Sequence, residues 1–183
     1  ARKQPDALLP VVHKTSTPAM NSSNEAIPLR GKANQIRLYV REKVFSETYC
    51  FLIDMSIPSG RKRFFVYDIS KGSIVISGLV SHGSCNEGFL TDAKFSNTPS
   101  GGCTSIGKYK VGNSYRGQYG MTYKLYGLES TNSNAFRRAI VLHGFSCMPD
   151  EEIYPRPACN SLGCTGVSYN FLTKISALID RSD

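Results

Sequence analysis

The sequence predicts a mainly β fold, a sandwich or barrel with one helix near the N-terminus and one at the C-terminus. Three observations carry this. β-rich runs follow one another with turn-forming residues between them. Gly (16), Tyr (10) and Phe (9) are frequent, a composition that suits strands and turns. Only two stretches place apolar residues at helical spacing. The 183 residues fit one domain large enough to bury a core.

Residues 1–30 read as an N-terminal tail or linker, polar and rich in Ser, Thr, Asn and Pro beyond Val12, with one docked segment at Ala7–Val12. The domain proper spans 31–183. Its first helix is expected over Lys32–Phe45, where Ile36, Tyr39, Val40 and Val44 recur at helical spacing after Gly31. Strands are expected at Thr48–Met55, Arg63–Ile69 and Ser73–Val80, separated by Ile57-Pro58-Ser59-Gly60 and Lys71-Gly72. Residues 81–107 are loop-dominated. Short strands are expected at Lys108–Val111, Thr122–Tyr126 and Ala139–Leu142, followed by a long loop over 145–163. Asn170–Ile179 reads as the closing helix, with Asn170 as N-cap and Phe171, Leu172, Ile175, Leu178 and Ile179 on one face.

The formal charge of +8 draws polyanions, acidic cell-wall polymer among them. The 22 Lys and Arg are scattered apart from Arg61-Lys62-Arg63, and no nucleic-acid-binding motif accompanies them, so no nucleic-acid partner is expected. No apolar run is long enough to span a bilayer. The chain does not begin with Met, which fits a mature form whose export signal is gone. Nothing in the sequence calls for a cofactor or a metal, and a monomer is expected.

The chemistry-bearing stretch is Ala139-Ile140-Val141-Leu142-His143-Gly144, then Cys159-Asn160-Ser161-Leu162-Gly163-Cys164. A β-rich run delivers His143 to a strand end, and Gly144 lets the chain turn. Cys164 lies in a Gly-flanked turn, where backbone amides can face a developing negative charge. Attack by sulfur needs a base for a thiol of pKa about 8.5, a group that fixes the base's tautomer, and donors for the oxyanion. His143, the carbonyl near Gly144, and the amides of Gly163 and Cys164 could supply these in turn. Taken alone, one His and one Cys are equally compatible with a buried cysteine acting as a small hydrophobe. Cys50, Cys103 and Cys147 are read that way. If Cys164 is a free nucleophile, at least one of the other five cysteines is also unpaired.

The segment His143-Gly144 … Ser161-Leu162-Gly163-Cys164 resembles the signature of the murein L,D-transpeptidase (YkuD-type) family, a His followed after a loop by Ser/Thr-x-Gly-Cys. The resemblance extends in order through Val80-Ser81-His82-Gly83, Phe95-Ser96-Asn97-Thr98-Pro99-Ser100 and Ser105-Ile106-Gly107-Lys108-Tyr109. It continues through Tyr115-Arg116-Gly117, Leu125-Tyr126-Gly127-Leu128-Glu129 and Asn134-Ala135-Phe136-Arg137-Arg138, covering roughly 48–180. Leu162 stands where relatives commonly carry His or Trp, and Thr165 where Pro is frequent.

The resemblance implies an L,D-transpeptidase-like β-sandwich or barrel acting on peptidoglycan stem peptides in the cell envelope, periplasmic or exported. It implies Cys164 as nucleophile and His143 as acid/base. Ser161, Gly163 and Gly144 would shape the turn and oxyanion site, and His82, Arg138 and Asn97 would stand at the substrate cleft. An L,D-carboxypeptidase would use the same site.

Three competitors have sequence support. His82-Gly83-Ser84-Cys85 is a second possible His/Cys pair. His82, Cys85, His143, Cys147, Cys159 and Cys164 form a pool from which a zinc site could be drawn, although their spacings match no paired CxxC. A non-catalytic cell-wall-binding module could use Tyr115, Tyr119, Tyr123 and Tyr126 against sugars and Arg116, Lys124, Arg137 and Arg138 against carboxylates, with alternation sending half the Tyr to the core.

Overall fold

A computed structural model describes residues 7–12, 39 and 48–179. The helix expected over Lys32–Phe45 lies outside the described residues apart from Tyr39. The chain is mainly β: β1 (Ala7–Val12), β2 (Tyr49–Asp54), β3 (Phe64–Asp68), β4 (Ser73–Gly78), β5 (Gly107–Gly117), β6 (Gly120–Gly127), β7 (Val141–Gly144) and β8 (Thr165–Val167), then the helix α1 (Tyr169–Ile179). They form an eight-stranded sheet in the order β4-β3-β2-β1-β5-β6-β7-β8. The docked segment at Ala7–Val12 is therefore a strand inside the sheet, parallel to β2 and antiparallel to β5. The sheet thus draws on chain from both sides of the expected 30/31 boundary.

Alternation explains which side of each strand is dry. Phe51 and Ile53 of β2, Phe64 and Val66 of β3, Tyr109 and Val111 of β5, Tyr123 and Leu125 of β6, Leu142 and Val167 share one buried cluster. α1 adds Phe171, Leu172, Ile175 and Ile179, the helical stripe that the spacing predicts. The Phe64 and Phe171 rings meet edge-on at 5.3 Å, although β3 lies toward one end of the sheet and α1 follows the strand at the other. The sheet is curled. The exit of β4 runs along β8: the Ser81 amide donates to the Gly166 carbonyl at 2.9 Å, and the Gly166 amide donates to Ser81 Oγ at 3.0 Å.

Three boundaries differ from expectation for identifiable reasons. β5 runs on to Gly117 because exposed residues 113–116 are held by pairing with β6 across a bulge between Val111 and Ser114, not by apolar alternation. β7 begins at Val141 rather than Ala139, whose φ is 53°. The helix N-cap is Ser168 rather than Asn170: Ser168 Oγ accepts the Phe171 amide at 3.1 Å and donates to the Asp150 carboxylate.

Cysteine pairing corrects another expectation. Cys103 and Cys147 are not lone buried thiols but are bonded to Cys85 and Cys159, respectively. Cys50 is free and fully buried, as expected of a small hydrophobe.

Candidate functional site

β7 and β8 are parallel neighbours, with Leu142 opposite Thr165 and His143 opposite Gly166. Side chains alternate along a strand, so the position two before Gly166 shares its face. That position is Cys164. Neighbouring strands lie about 4.8 Å apart, and the apolar Val141-Leu142 and Thr165–Val167 runs lock the two strands into the core. His143 and Cys164 thus rise from adjacent chain segments on one face, and both line a cavity of about 290 Å³ with Ser84, Tyr119, Asn160 and Leu162.

The turn before Cys164 is closed by its own residues. Ser161 Oγ donates to the Cys164 carbonyl at 2.7 Å and accepts the Gly163 amide at 3.1 Å. The Gly163 amide is thereby engaged within the turn, which leaves the Cys164 amide of the two expected oxyanion donors. Gly163 has φ +107°, and a Cβ there would stand 2.6 Å from the Cys103 carbonyl oxygen and 2.9 Å from Arg138 Nη2. Replacing Gly163 with Ala would strain the backbone and push the turn off two fixed groups. A displacement near 1 Å at a reacting atom can cost on the order of 100-fold in rate. If Cys164 Sγ is the reacting atom, Gly163→Ala is therefore expected to lower kcat by about that factor while circular dichroism stays native-like. Unchanged kcat would contradict it.

His143 is 2% exposed. Its Nδ1 lies 2.7 Å from the Gly144 carbonyl, which can only accept, so Nδ1 carries the proton and Nε2 keeps a lone pair. Tyr119, at the tip of the β5–β6 hairpin, stacks on the imidazole at 4.2 Å, and the Phe145 ring lies 5.5 Å away. Burial lowers the His143 pKa from 6.5, against a smaller opposing pull from the Gly144 carbonyl. Cys164 is a free thiol whose Sγ is 3.7 Å from the Ala139 carbonyl. Burial raises its pKa above 9.0, while the Val141 amide and the Arg138 charge act the other way. Both groups are thus neutral at rest near pH 7.

His82, Arg138 and Asn97 do not line this cavity, although Arg138 lies close enough for its charge to act on Cys164. His82 is fully buried: Arg63 Nη2 donates to its Nδ1 at 2.9 Å, so Nε2 is protonated and donates to the Leu90 carbonyl at 3.1 Å. The His82 carbonyl accepts the Ser161 amide at 2.8 Å, so His82 braces the turn from behind without lining the cavity. Arg138 donates to the carbonyls of Ser96 (2.9 Å) and Cys103, and it lines the neighbouring hollow beyond Leu162. Asn97 joins two loops, donating to the Ser130 carbonyl at 2.9 Å and accepting the Asn134 amide at 3.1 Å. The cavity residues Tyr119, Ser84 and Asn160 were not placed with His143 by sequence reasoning. A Tyr between turn glycines, Gly117-Gln118-Tyr119-Gly120, was the one signal available for them.

The competing His82/Cys85 pair has lost its sulfur to the Cys85–Cys103 disulfide. The zinc pool likewise has Cys85, Cys147 and Cys159 committed to disulfides, and no group of three or more His, Cys, Asp or Glu comes together among the described residues.

His82 has a measurable signature of its own. Burial and then the Arg63 charge lower its pKa from 6.5 to about 4. Between those values the unfolded chain binds a proton that the native ring refuses. Stability is therefore full above about pH 6.5 and falls as pH drops toward 4. The urea midpoint should fall between about pH 6.5 and 5, and His82→Gln should remove most of that decline. His143, lowered in the same direction, accounts for the remainder. A decline unaltered in His82→Gln would rule the assignment out.

A family model described as the L,D-transpeptidase catalytic domain matches residues 23–183. No match is found among curated proteins or among solved structures.

Proposed function

Because the chain belongs to the L,D-transpeptidase catalytic-domain family, we propose that it performs acyl transfer on peptidoglycan tetrapeptide stems with Cys164 as nucleophile and His143 as acid/base. An L,D-transpeptidase-type enzyme is what the family match supports in general. The residue roles rest on one observation: the partly exposed free cysteine and an imidazole with an unprotonated Nε2 line the same cavity.

In this mechanism Cys164 Sγ attacks the carbonyl at the L-centre of the stem's diamino acid while His143 Nε2 takes the thiol proton. The carbonyl electrons move to oxygen, stabilised by the Cys164 amide. As the C–N bond breaks, His143 returns the proton to the departing amine, and D-alanine leaves. The thioester then passes to an amine of a neighbouring stem or, in the carboxypeptidase variant, to water, with His143 removing a proton from the incoming group. The catalytic domain in this reading is 31–183, with β1 contributed from residues 1–30.

Two disulfides suit an oxidising compartment, which supports a location in the cell envelope or outside the cell. No helix among the described residues is long and apolar enough to cross a membrane. Incubation with a tetrapeptide-bearing muropeptide followed by mass spectrometry tests the proposal. The expected result is an acyl adduct on the Cys164 peptide with release of D-alanine. Release of D-alanine with the adduct on another residue, or no release at all, would overturn it. Cross-linked dimers among the products identify transpeptidation, and free tripeptide stems identify hydrolysis.

A further inference from the structure

We infer that the solvent face of the β5–β6 hairpin is a second, non-catalytic site that holds a carboxylate-bearing glycan strand beside the catalytic pair. Lys110, Gly112, Tyr115, Lys124 and Tyr126 line a surface groove of about 380 Å³. Phe136, 58% exposed, stacks on Tyr126 at 5.2 Å with the rings 11° from parallel. Lys124 Nζ stands 5.5 Å from the Tyr115 ring centre and 5.8 Å from that of Phe136, so one amine is held between two aromatic faces. Gly112 is part of this build: a Cβ there would come within 2.5 Å of the Tyr126 ring, so bare backbone lets that ring lie against the strand.

A second hollow, also about 380 Å³, shares Ser114 and Tyr115 with the groove and opens toward Arg116 and Met121, which pair with each other on the opposite face of the hairpin. Among the described residues no carboxylate lines either hollow. Contiguous rings at a protein surface mark an interaction site rather than scattered apolar residues. The ligand must offer flat apolar C–H faces to the rings and negative charge to the amines. A pyranose chain bearing carboxylates offers both along the row of Tyr115, Tyr126 and Phe136, whereas a small anion would use the amines alone.

Register supplies the link to catalysis. Thr122 of β6 pairs with Tyr115 on one side and with His143 on the other. Paired residues share a face, so the groove and the imidazole lie on the same side of the sheet. The groove shares no lining residue with the cavity of His143 and Cys164. The choice of glycan rests on the proposed action on peptidoglycan: a strand in which some lactyl groups have lost their stems, freeing carboxylates for the lysines, would seat here and bring its remaining stems toward the thiol.

The test measures binding of the full chain to three probes: glycan strands stripped of stem peptides, with free lactyl carboxylates; chitin oligomers, with sugars but no carboxylates; and polyglutamate, with carboxylates but no sugars. Strands should bind at least about tenfold tighter than either control, a difference of roughly 1.4 kcal/mol. Phe136→Ala and Lys124→Gln should each weaken strand binding at least about threefold, while turnover of a short soluble tetrapeptide is unchanged. Strands bound no better than either control, or variants that bind as well as the parent, would overturn the inference. Strand binding without any adduct on Cys164 would sink the catalytic proposal and leave this one standing. An adduct without strand binding would do the reverse.

Discussion

Cys164→Ser is expected to lower acyl transfer by about 10³-fold or more, because a serine hydroxyl at that position is a far weaker nucleophile toward the same carbonyl. Stability should hardly move. The thiol meets only backbone, the Ala139 carbonyl at 3.7 Å and the Val141 amide, and the side chain is only partly buried. Substitutions free of a buried network usually stay within about 0.5 kcal/mol. Cys50 provides the opposite control. It is fully buried among Leu52, Phe65, Tyr67 and Ile69, and burial pushes its pKa up to about 12. Cys50→Ser places a hydroxyl in that apolar cluster and should cost about 1–3 kcal/mol of stability while leaving the turnover of the folded fraction intact. Iodoacetamide should label Cys164 alone in the native protein. If Cys164→Ser retained full turnover, the nucleophile would have to be sought elsewhere.

The sequence was legible where burial imposes a period. Phe51 and Ile53, Phe64 and Val66, and the Phe171-to-Ile179 stripe each repeat at the spacing of the element they form, and those elements lie within a few residues of where the pattern puts them. Legibility failed where backbone pairing or distant partners decide. Asn113 and Ser114 have no propensity reason to be in a strand and are held there by β6 across a bulge. β8, only three residues long, exists because β7 and the exit of β4 flank it. Cysteine pairing is a matter of three-dimensional proximity, so Cys103 and Cys147 could not be told from buried thiols by local context.

The candidate site divides the same way. That His143 and Cys164 come to one cavity was legible through their glycine-flanked setting and family resemblance. The hydrogen-bond partners of His82, Arg138 and Asn97 were not, because they lie far along the chain: the Ser161 amide at the His82 carbonyl, the Cys103 carbonyl at Arg138, and Ser130 and Asn134 at Asn97. A polar residue in a motif can brace the turn that carries Cys164 without lining its cavity, and only the partner's position distinguishes the two.

His143→Gln should reduce kcat by about 10²–10⁴-fold with little change in KM, the range for losing a positioned general base. The pH profile should carry a more specific mark. Because burial lowers the imidazole and raises the thiol, the resting pair is the neutral one and not a thiolate–imidazolium ion pair. His143 must lose its proton before it can accept one from sulfur, so kcat/KM should rise with pH through a single ionisation whose midpoint lies below 6.5, then stay flat through the neutral range. Alkylation by iodoacetamide, which needs the thiolate itself, should instead keep climbing with pH toward and beyond 9.0. The two curves separate because substrate attack is coupled to proton transfer, whereas alkylation draws on the small thiolate fraction already present. An enzyme that stores its nucleophile as an ion pair would alkylate at a constant rate from about pH 5 to 8, and that plateau in this protein would refute the neutral pair.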